Sequence, residues 1–296
     1  MTYSILGFDP NTGEFGVAVA TKFLSVGAGV PAVNAYGAMA VQAMAHPQNN
    51  INGLALLREE IEPTEIIARL TDQQVDPLAP TRQLGIVDRK GRLATFTGDR
   101  NGAWSGGQIG TNCVAQGNML TNGRCTPAMI ATFQALSDVW LPRRLALSLL
   151  AGEEAGGDSR GRQSAALQVH RPGAGGSLQN YRHVDLRADD HATPCHELLR
   201  LLTVYDRIYG ETELEQFLPL DSARIYEIQT GLTSLGEYSG PPHGRMDDET
   251  EKAWTAFLYQ ENFRFRRLKA TPDGMVDPVV LARLRDLAVG LNTTWS

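Results

Sequence analysis

The sequence predicts an α/β domain in which sheets are covered by helical layers, followed by a small all-helical domain. Three observations carry this expectation. Short apolar runs bounded by turn residues recur as far as Arg187, segments with helical spacing stand in pairs between them, and helical spacing alone follows a polar connector from Gly210 to Asp221.

Tyr3–Phe8 and Phe15–Thr21 read as strands, joined by Asp9-Pro10-Asn11-Thr12-Gly13, a run of turn-forming residues, so the chain opens with a hairpin. Gly37–Met44 gives a further strand. Helices are expected over Ile51–Glu60 and Thr64–Gln73, the second capped by Thr64 after Pro63. Gln83–Asp88 and Leu93–Thr97 flank the turn Arg89-Lys90-Gly91 as a second hairpin, and Thr111–Gly117 follows as a strand. Helical periodicity returns over Thr126–Ser137 and Leu141–Ala151. Beyond the glycine-rich run Gly156–Gly161, strands are expected at Ser164–His170 and Tyr181–Arg187, and a helix at Pro194–Tyr209. Three last helices, Ser222–Leu235, Asp247–Gln260 and Pro278–Val289, form the second domain. The domains are therefore placed at 1–210 and 221–296. The order of elements suits layered sheets better than a regular alternating parallel fold, and periodicity alone leaves the number of layers open.

Composition narrows the function classes. At 296 residues, 42% hydrophobic and 20% charged, the chain has enough apolar material for one large core and one small one. A net charge of -6 disfavours nucleic acid and anionic membranes as partners. The dense basic run Arg264, Arg266, Arg267 and Lys269 reads as a solvated helix end. Cys113, Cys125 and Cys195 share no metal-type spacing and suit reduced thiols; with no signal-like start and no apolar span, the expected location is the cytoplasm. No phosphate loop, dinucleotide fingerprint or nucleophile elbow occurs, and no cofactor is expected.

Four stretches together resemble a known family. They are Thr2-Tyr3-Ser4-Ile5 to Val17-Ala18-Val19-Ala20-Thr21-Lys22-Phe23; Ala115-Gln116-Gly117-Asn118-Met119-Leu120; the long Ala155-Gly156-Gly157-Asp158-Ser159-Arg160-Gly161-Arg162-Gln163-Ser164-Ala165-Ala166-Leu167; and Asp185-Leu186-Arg187-Ala188-Asp189-Asp190-His191. The first domain is similar to the N-terminal-nucleophile (Ntn) hydrolase-like family known as domain of unknown function 1028, over nearly all of Met1–Tyr209. The Gly-Gly-Asp stretch is the specific part. The resemblance implies an αββα four-layer sandwich and an amidohydrolase ancestry, with no agreed substrate. His46-Pro47 and Cys195-His196 depart from the family pattern and take no role from it.

The second domain resembles the three-helix peptidoglycan-binding fold, through Glu227-Ile228-Gln229, Leu235-Gly236-Glu237-Tyr238, Gly240-Pro241-Pro242-His243-Gly244, Thr250 to Phe257 and Asp273-Gly274-Met275-Val276-Asp277. This shape also serves as a spacer or dimerisation element, and packing against the large domain or a second copy is expected ahead of glycan binding. Ile228, Leu232, Leu235, Trp254, Phe257, Leu258, Leu281 and Leu284 should supply its core, and Tyr238 and Tyr259 are its candidates for a glycan groove.

Candidate chemistry centres on Thr2. With Met1 removed, its α-amino group, of ordinary pKa about 7.7–8.0, can act as base toward its own hydroxyl. The alternative is that Thr2 only starts an edge strand. Thr21 and Lys22 close the second strand beside Thr2 if the hairpin registers as its turn suggests. A buried Lys22 ammonium would lower the amine's pKa or meet an oxyanion; otherwise Lys22 stands in solvent. Gln116 and Asn118 flank Gly117, share one strand face and offer amide donors to a substrate carbonyl or oxyanion, with Gln42 joining from the strand before; otherwise they satisfy backbone groups. Asp158 and Arg160 lie in the glycine-rich turn, where Arg160 can read a substrate carboxylate and Asp158 can fix the loop through an arginine. Gln42, Asp158, Arg160 and Gln163 are thus the substrate-binding set, and Thr2, Thr21, Lys22, Gln116 and Asn118 the catalytic set.

His183, Asp185, Asp189, Asp190, His191, Cys195 and His196 lack ligand spacing, so no metal site is expected. The expected function is an amidohydrolase acting on a small amide or peptide-like substrate. The rival is a non-catalytic protein binding a ligand or a peptidoglycan fragment.

Overall fold

In the computed structural model the described residues are 1–173, 183–268 and 271–290. They divide into two compact units, Met1–Leu202 and Thr203–Ser296. Within the first, the strands are β1 (Thr2–Phe8), β2 (Phe15–Thr21), β3 (Pro31–Asn34), β4 (Gly37–Ala43), β5 (Arg82–Asp88), β6 (Leu93–Thr97), β7 (Gly106–Gly110), β8 (Cys113–Asn118), β9 (Ser164–His170) and β10 (Val184–Ala188). The helices are α1 (Pro47–Arg58), α2 (Pro63–Leu70), α3 (Cys125–Ala135) and α4 (Leu141–Glu154), with α5 (Pro194–Tyr209) following β10.

The strands form a six-stranded sheet, ordered β10-β9-β2-β1-β8-β7, and a four-stranded sheet, ordered β3-β4-β5-β6. All ladders in both are antiparallel. Side-chain alternation decides what each sheet buries. On β1, Leu6 faces the other sheet and packs with Phe15, Val17, Val33, Ala38, Ala40, Val87 and Val114. Gly7, on the opposite face, lies under Phe133 of α3 and Leu145 of α4. On β4, Met39 and Val41 face Leu57, Ile66, Ile67 and Leu70 of α1 and α2. The result is an αββα sandwich with helices α3 and α4 outside the larger sheet and α1 and α2 outside the smaller. Central strands buried on both faces need continuous apolar runs, and β2 is buried along its whole length.

The opening hairpin pairs Tyr3 with Ala20 and Phe8 with Phe15. Its loop closes through Asp9, whose backbone exchanges hydrogen bonds with Glu14 and Gly13 and whose Oδ1 accepts from Asn11 N–H; Gly13 takes the positive φ (72°) that the loop requires. Some boundaries differ from the sequence expectation. Helix α1 starts four residues early because His46 is extended before a proline and Pro47 is suited to the first helical position. Pro63, not Thr64, plays the same part in α2, with Glu62 at the cap. Strands β3 and β7 were not anticipated. The first is a four-residue edge strand beginning at proline, and the second, Gly-Gly-Gln-Ile-Gly, has little strand propensity and is defined by its pairing to β8. The expected strand start at Tyr181 and Arg182 lies outside the described residues.

The second unit holds β11 (Leu218–Pro219), α6 (Ser222–Ser234), α7 (Asp248–Gln260), the short α8 (Arg264–Leu268), β12 (Met275–Val276) and α9 (Pro278–Ala288). Asp221, Asp247 and Asp277 cap α6, α7 and α9, each side chain accepting a backbone N–H from the first turn. Ile228, Leu232, Phe257, Leu258, Leu281 and Leu284 are in its core, with Leu235 and Trp254 partly buried against it. Tyr238 is buried as well, which removes it as a groove residue, whereas Tyr259 is exposed. Arg266 is not a solvated helix end. It is buried, paired with Asp277 at 3.1 Å and bonded to Thr212 and to the carbonyls of Asp206 and Arg207. Lys269, of the same basic run, lies outside the described residues. Among the described residues no helix is long and apolar enough to cross a membrane.

Candidate active site at the end of the sandwich

The space between the sheets changes character along the strands. At one end it is apolar. At the other, strand positions of the same face carry Thr2, Ser4, Thr21, Gln42, Gln83, Gln116 and Asn118, all buried. Burying so many polar groups is tolerable only if they satisfy one another.

They do so through an amide network centred on Gln83. Its Oε1 accepts from Gln42 Nε2 (2.7 Å) and Asn118 Nδ2 (2.9 Å), and its Nε2 donates to Gly117 O (2.8 Å), Thr97 Oγ1 (2.8 Å) and Gly106 O (3.2 Å). Gln42 Oε1 accepts from Ser4 Oγ (2.8 Å). The remaining donor capacity of Gln42 and Asn118 goes to the carbonyl of Thr2, at 3.2 and 3.4 Å. The two amides therefore clamp the Thr2 backbone from opposite sheets. Gln116 does not join them. Its Nε2 donates to Ala40 O (3.1 Å) and Ser4 Oγ (3.3 Å), and Ser4, not Thr2, is its register partner. Its amide donors and those of Asn118 are engaged within the protein, those of Gln116 with Ala40 O and Ser4 Oγ and those of Asn118 with Gln83 Oε1 and Thr2 O.

Thr2 is 7% exposed, and its hydroxyl meets the Met1 carbonyl and the Thr21 hydroxyl. Thr2 Oγ1 lies 3.3 Å from Thr21 Oγ1 and donates to the Met1 carbonyl at 2.5 Å. Thr21 Oγ1 donates to the same carbonyl at 2.5 Å, and Arg160 Nη2 donates to it at 3.1 Å. The hairpin register brings Thr21 here, as its turn suggested.

The glycine-rich loop delivers Asp158 and Arg160. Gly156, Gly157 and Gly161 adopt positive φ (131°, 50° and 113°), and the loop is pinned to the residues after β8 by Thr121 N–H to Gly157 O (3.1 Å) and Thr121 Oγ1 to Gly156 O (2.8 Å). Asp158 Oδ2 then accepts from Lys22 N–H (2.8 Å) and Arg160 Nη2 (3.0 Å), while Oδ1 accepts Arg160 N–H (2.9 Å) and Nε (3.2 Å). Burial works to raise the Asp158 carboxyl, but the Arg160 guanidinium and the two backbone donors outweigh it and hold the group below its ordinary range. Arg160 is thus oriented by Asp158, and its Nη2 reaches the Met1 carbonyl as well.

Lys22 is exposed beyond the end of β2, and its backbone N–H is what reaches the site; the buried ammonium considered beside Thr2 is not there. Gln163 also stands apart. Its backbone pairs with Thr21 O and its amide donates to Asp190 Oδ1 at 3.2 Å. Behind Thr2, on the helix side of the sheet, Tyr3 OH lies 3.7 Å from Cys195 Sγ, and burial, then Cys195, pushes the phenol well above 10.0. Arg162 turns to the buried Glu153 (3.2 Å), away from Thr2. Among the described residues no group of three or more His, Cys, Asp or Glu is placed to hold a metal ion.

The sequence reading missed Gln83. The signal was present, since Gln83 stands at period two from Gly85 and Val87, as Gln42 does from Ala40 and Ala38, on strands that are otherwise apolar.

Two family models match the chain: "Family of unknown function (DUF1028)" over residues 2–198 and "Putative peptidoglycan binding domain" over residues 211–284. No curated protein matches it. Among solved structures, protein SPO2555 from Silicibacter pomeroyi, a DUF1028 protein, is 33% identical with a TM-score of 0.62, over 69% of this chain and 89% of that one. Anbu (ancestral beta-subunit) from Yersinia bercovieri overlaps 69% of this chain and 93% of its own at 9% identity and a TM-score of 0.32, too low to define a shared fold. The strand, loop and network that assemble around Thr2 all lie within residues 2–198, and over that span the chain belongs to the family of unknown function DUF1028.

Proposed function

We propose that the large domain is an Ntn-type amidohydrolase that cleaves a small amide or peptide-like substrate with Thr2 as nucleophile. The observation that carries this reading is the convergence of the Thr2 hydroxyl, the Thr21 hydroxyl and Arg160 on one carbonyl, while Gln42 and Asn118 fix the Thr2 backbone. Once Thr2 is the first residue, its neutral amine takes the proton of its own Oγ1, which adds to the substrate carbonyl carbon. The amine returns that proton to the leaving nitrogen as the C–N bond breaks, leaving an ester on Thr2. Water, deprotonated by the same amine, adds to the ester and releases the acid and free Thr2. Thr21 Oγ1 and Arg160 sit where charge develops on the carbonyl oxygen. Three free, buried thiols support a cytoplasmic setting for this chemistry.

The test compares chains beginning at Thr2 with Thr2→Ala and Thr2→Ser chains on a panel of primary amides and dipeptides. Turnover should vanish with alanine and persist with serine, at unchanged thermal stability. Equal turnover in the alanine chain would sink the reading.

A second reading concerns residues 211–284 and is favoured by their family match. A groove of about 380 Å³, lined by Trp254, Leu258, Met275 and the Arg266–Asp277 pair among others, is the place on this unit where a peptidoglycan fragment would bind. Packing against a second copy of the chain is the competing use. Saturable sedimentation with purified peptidoglycan, abolished by Trp254→Ala, supports the first; a concentration-dependent dimer without sedimentation supports the second.

A further inference from the structure

Met1 occupies the donor set that surrounds Thr2. Its carbonyl takes hydrogen bonds from Thr2 Oγ1 (2.5 Å), Thr21 Oγ1 (2.5 Å) and Arg160 Nη2 (3.1 Å), and its sulfur accepts from Ser159 Oγ (2.9 Å). Two of these donors are held in place independently of Met1. Arg160 is bridged to Asp158 through Nε and Nη2, and Thr21, 3% exposed, ends a strand paired on one side to β9 at Ser164. Removing Met1 therefore leaves a preformed pair of donors facing a space the size of one aminoacyl group.

Large apolar side chains stand at the same end of the sandwich. Phe23 and Leu24 follow Thr21 and Lys22, Met44 stands two residues beyond Gln42, and Met119 follows Asn118. All four are exposed large apolar side chains, Phe23 at 68%. Chain adjacency and strand register put them at the same end of the sandwich as Thr2. Ala43 and Met119 also take positive φ (67° and 52°), so the chain turns sharply just past each of the two clamping amides.

We infer that the space occupied by Met1 is the acyl subsite of the Thr2 centre. Thr21 Oγ1 and Arg160 receive the oxygen of the substrate's carbonyl, or of the product carboxylate, and the subsite prefers an α-aminoacyl group with an unbranched apolar side chain of methionine size. The inference rests on the reading of Thr2 as nucleophile and deepens it. It also makes Met1, while attached, a self-inhibitor that fills the subsite with its own carbonyl. The carbonyl donors are thus a hydroxyl and a guanidinium, not the carboxamides of Gln116 and Asn118, whose hydrogens are committed elsewhere.

The experiment titrates L-methionine, L-norleucine and L-aspartate calorimetrically into chains that start at Thr2, made by cleaving a fused leader, and into the Met1-retaining chain. L-Methionine and L-norleucine should bind the Thr2-start chain and not the Met1-retaining one, with L-aspartate at least tenfold weaker. Thr21→Val and Arg160→Lys should each weaken L-methionine about tenfold, the loss of one strong hydrogen bond. Arg160→Lys preserves charge and, with a thermal melt alongside, separates a lost contact from a lost fold. Binding indifferent to Met1 or to both substitutions, or no binding of the apolar amino acids, overturns the subsite. Hydrolysis of L-methioninamide is followed in parallel. Binding that obeys these rules without hydrolysis keeps the subsite and removes Thr2 as nucleophile, whereas hydrolysis without such binding does the reverse.

Discussion

Gln83→Leu tests whether the buried amide network holds the two sheets together at the Thr2 end. Gln83 is wholly buried, and leucine matches its volume closely enough that cavity formation is a minor part of the change. Two donors lose their shared acceptor, Gln42 Nε2 and Asn118 Nδ2, and each keeps only a longer bond to the Thr2 carbonyl, while Gly117 O, Thr97 Oγ1 and Gly106 O lose the Gln83 Nε2 donor at the smaller cost of an acceptor. An unsatisfied buried donor costs about 1–3 kcal/mol, so two such losses, partly offset by leucine's apolar burial, come to about 3–4 kcal/mol. That is a large share of a stability of order 5–15 kcal/mol. Urea denaturation followed by tryptophan fluorescence and by far-ultraviolet circular dichroism measures it, with the transition of the large domain moving to lower urea at an unchanged slope. A loss below about 1 kcal/mol would refute the hydrogen-bond accounting, because it would mean that the donors find other partners.

Three further outcomes follow from the same geometry. Asp158→Asn should cost about 1–2 kcal/mol near pH 7, discounted because Arg160 is partly in solvent. The folded carboxyl titrates below its ordinary 3.8, so its contribution is present above that value and fades as pH falls through the lower folded value; the gap between wild type and variant should close on acidification, and a gap independent of pH would contradict this. Gly7→Ala would place a Cβ 2.5 Å from the Phe133 ring and 3.2 Å from Leu145, an overpacking worth about 1–3 kcal/mol in the same urea assay, whereas wild-type stability would show that the helix layer yields freely. Burial pushes the Cys113 and Cys125 thiols up to about 12 and Cys195 well above 9.0, so iodoacetamide at pH 8 should label none of the three in the native protein and all of them in denaturant.

Much of the fold was legible because its strands and helices carry their own periodicity. The hairpin from Tyr3 to Thr21 could be placed to within a residue, β1 starting at Thr2, since buried apolar runs and the turn-forming run between them fix its register. What the sequence hid was set by contacts distant along the chain. β7 is a strand only because β8 is beside it, and Arg266 is buried only because Asp277 and three backbone or hydroxyl acceptors lie around it. The site divides in the same way. Thr2, Thr21, Asp158 and Arg160 were singled out by position and loop chemistry, and they lie together in the structure. The parts played by Gln116 and Lys22 depended on which sheet faced which and on where β2 ended, and neither is encoded in spacing along one strand. Gln83 went unread because a single polar residue in an apolar strand gains meaning only when Gln42 and Asn118 are seen across the sheet interface.

The central claim is that Thr2 forms a covalent acyl intermediate, and the most direct measurement is intact and peptide-level mass spectrometry of a Thr2-start chain quenched in acid during turnover of an amide substrate. The account predicts one added acyl mass per chain, mapped to Oγ1 of Thr2 in the N-terminal peptide and absent from the Thr2→Ala chain. An acyl group on any other residue, or steady turnover by a chain that never carries one, would contradict it.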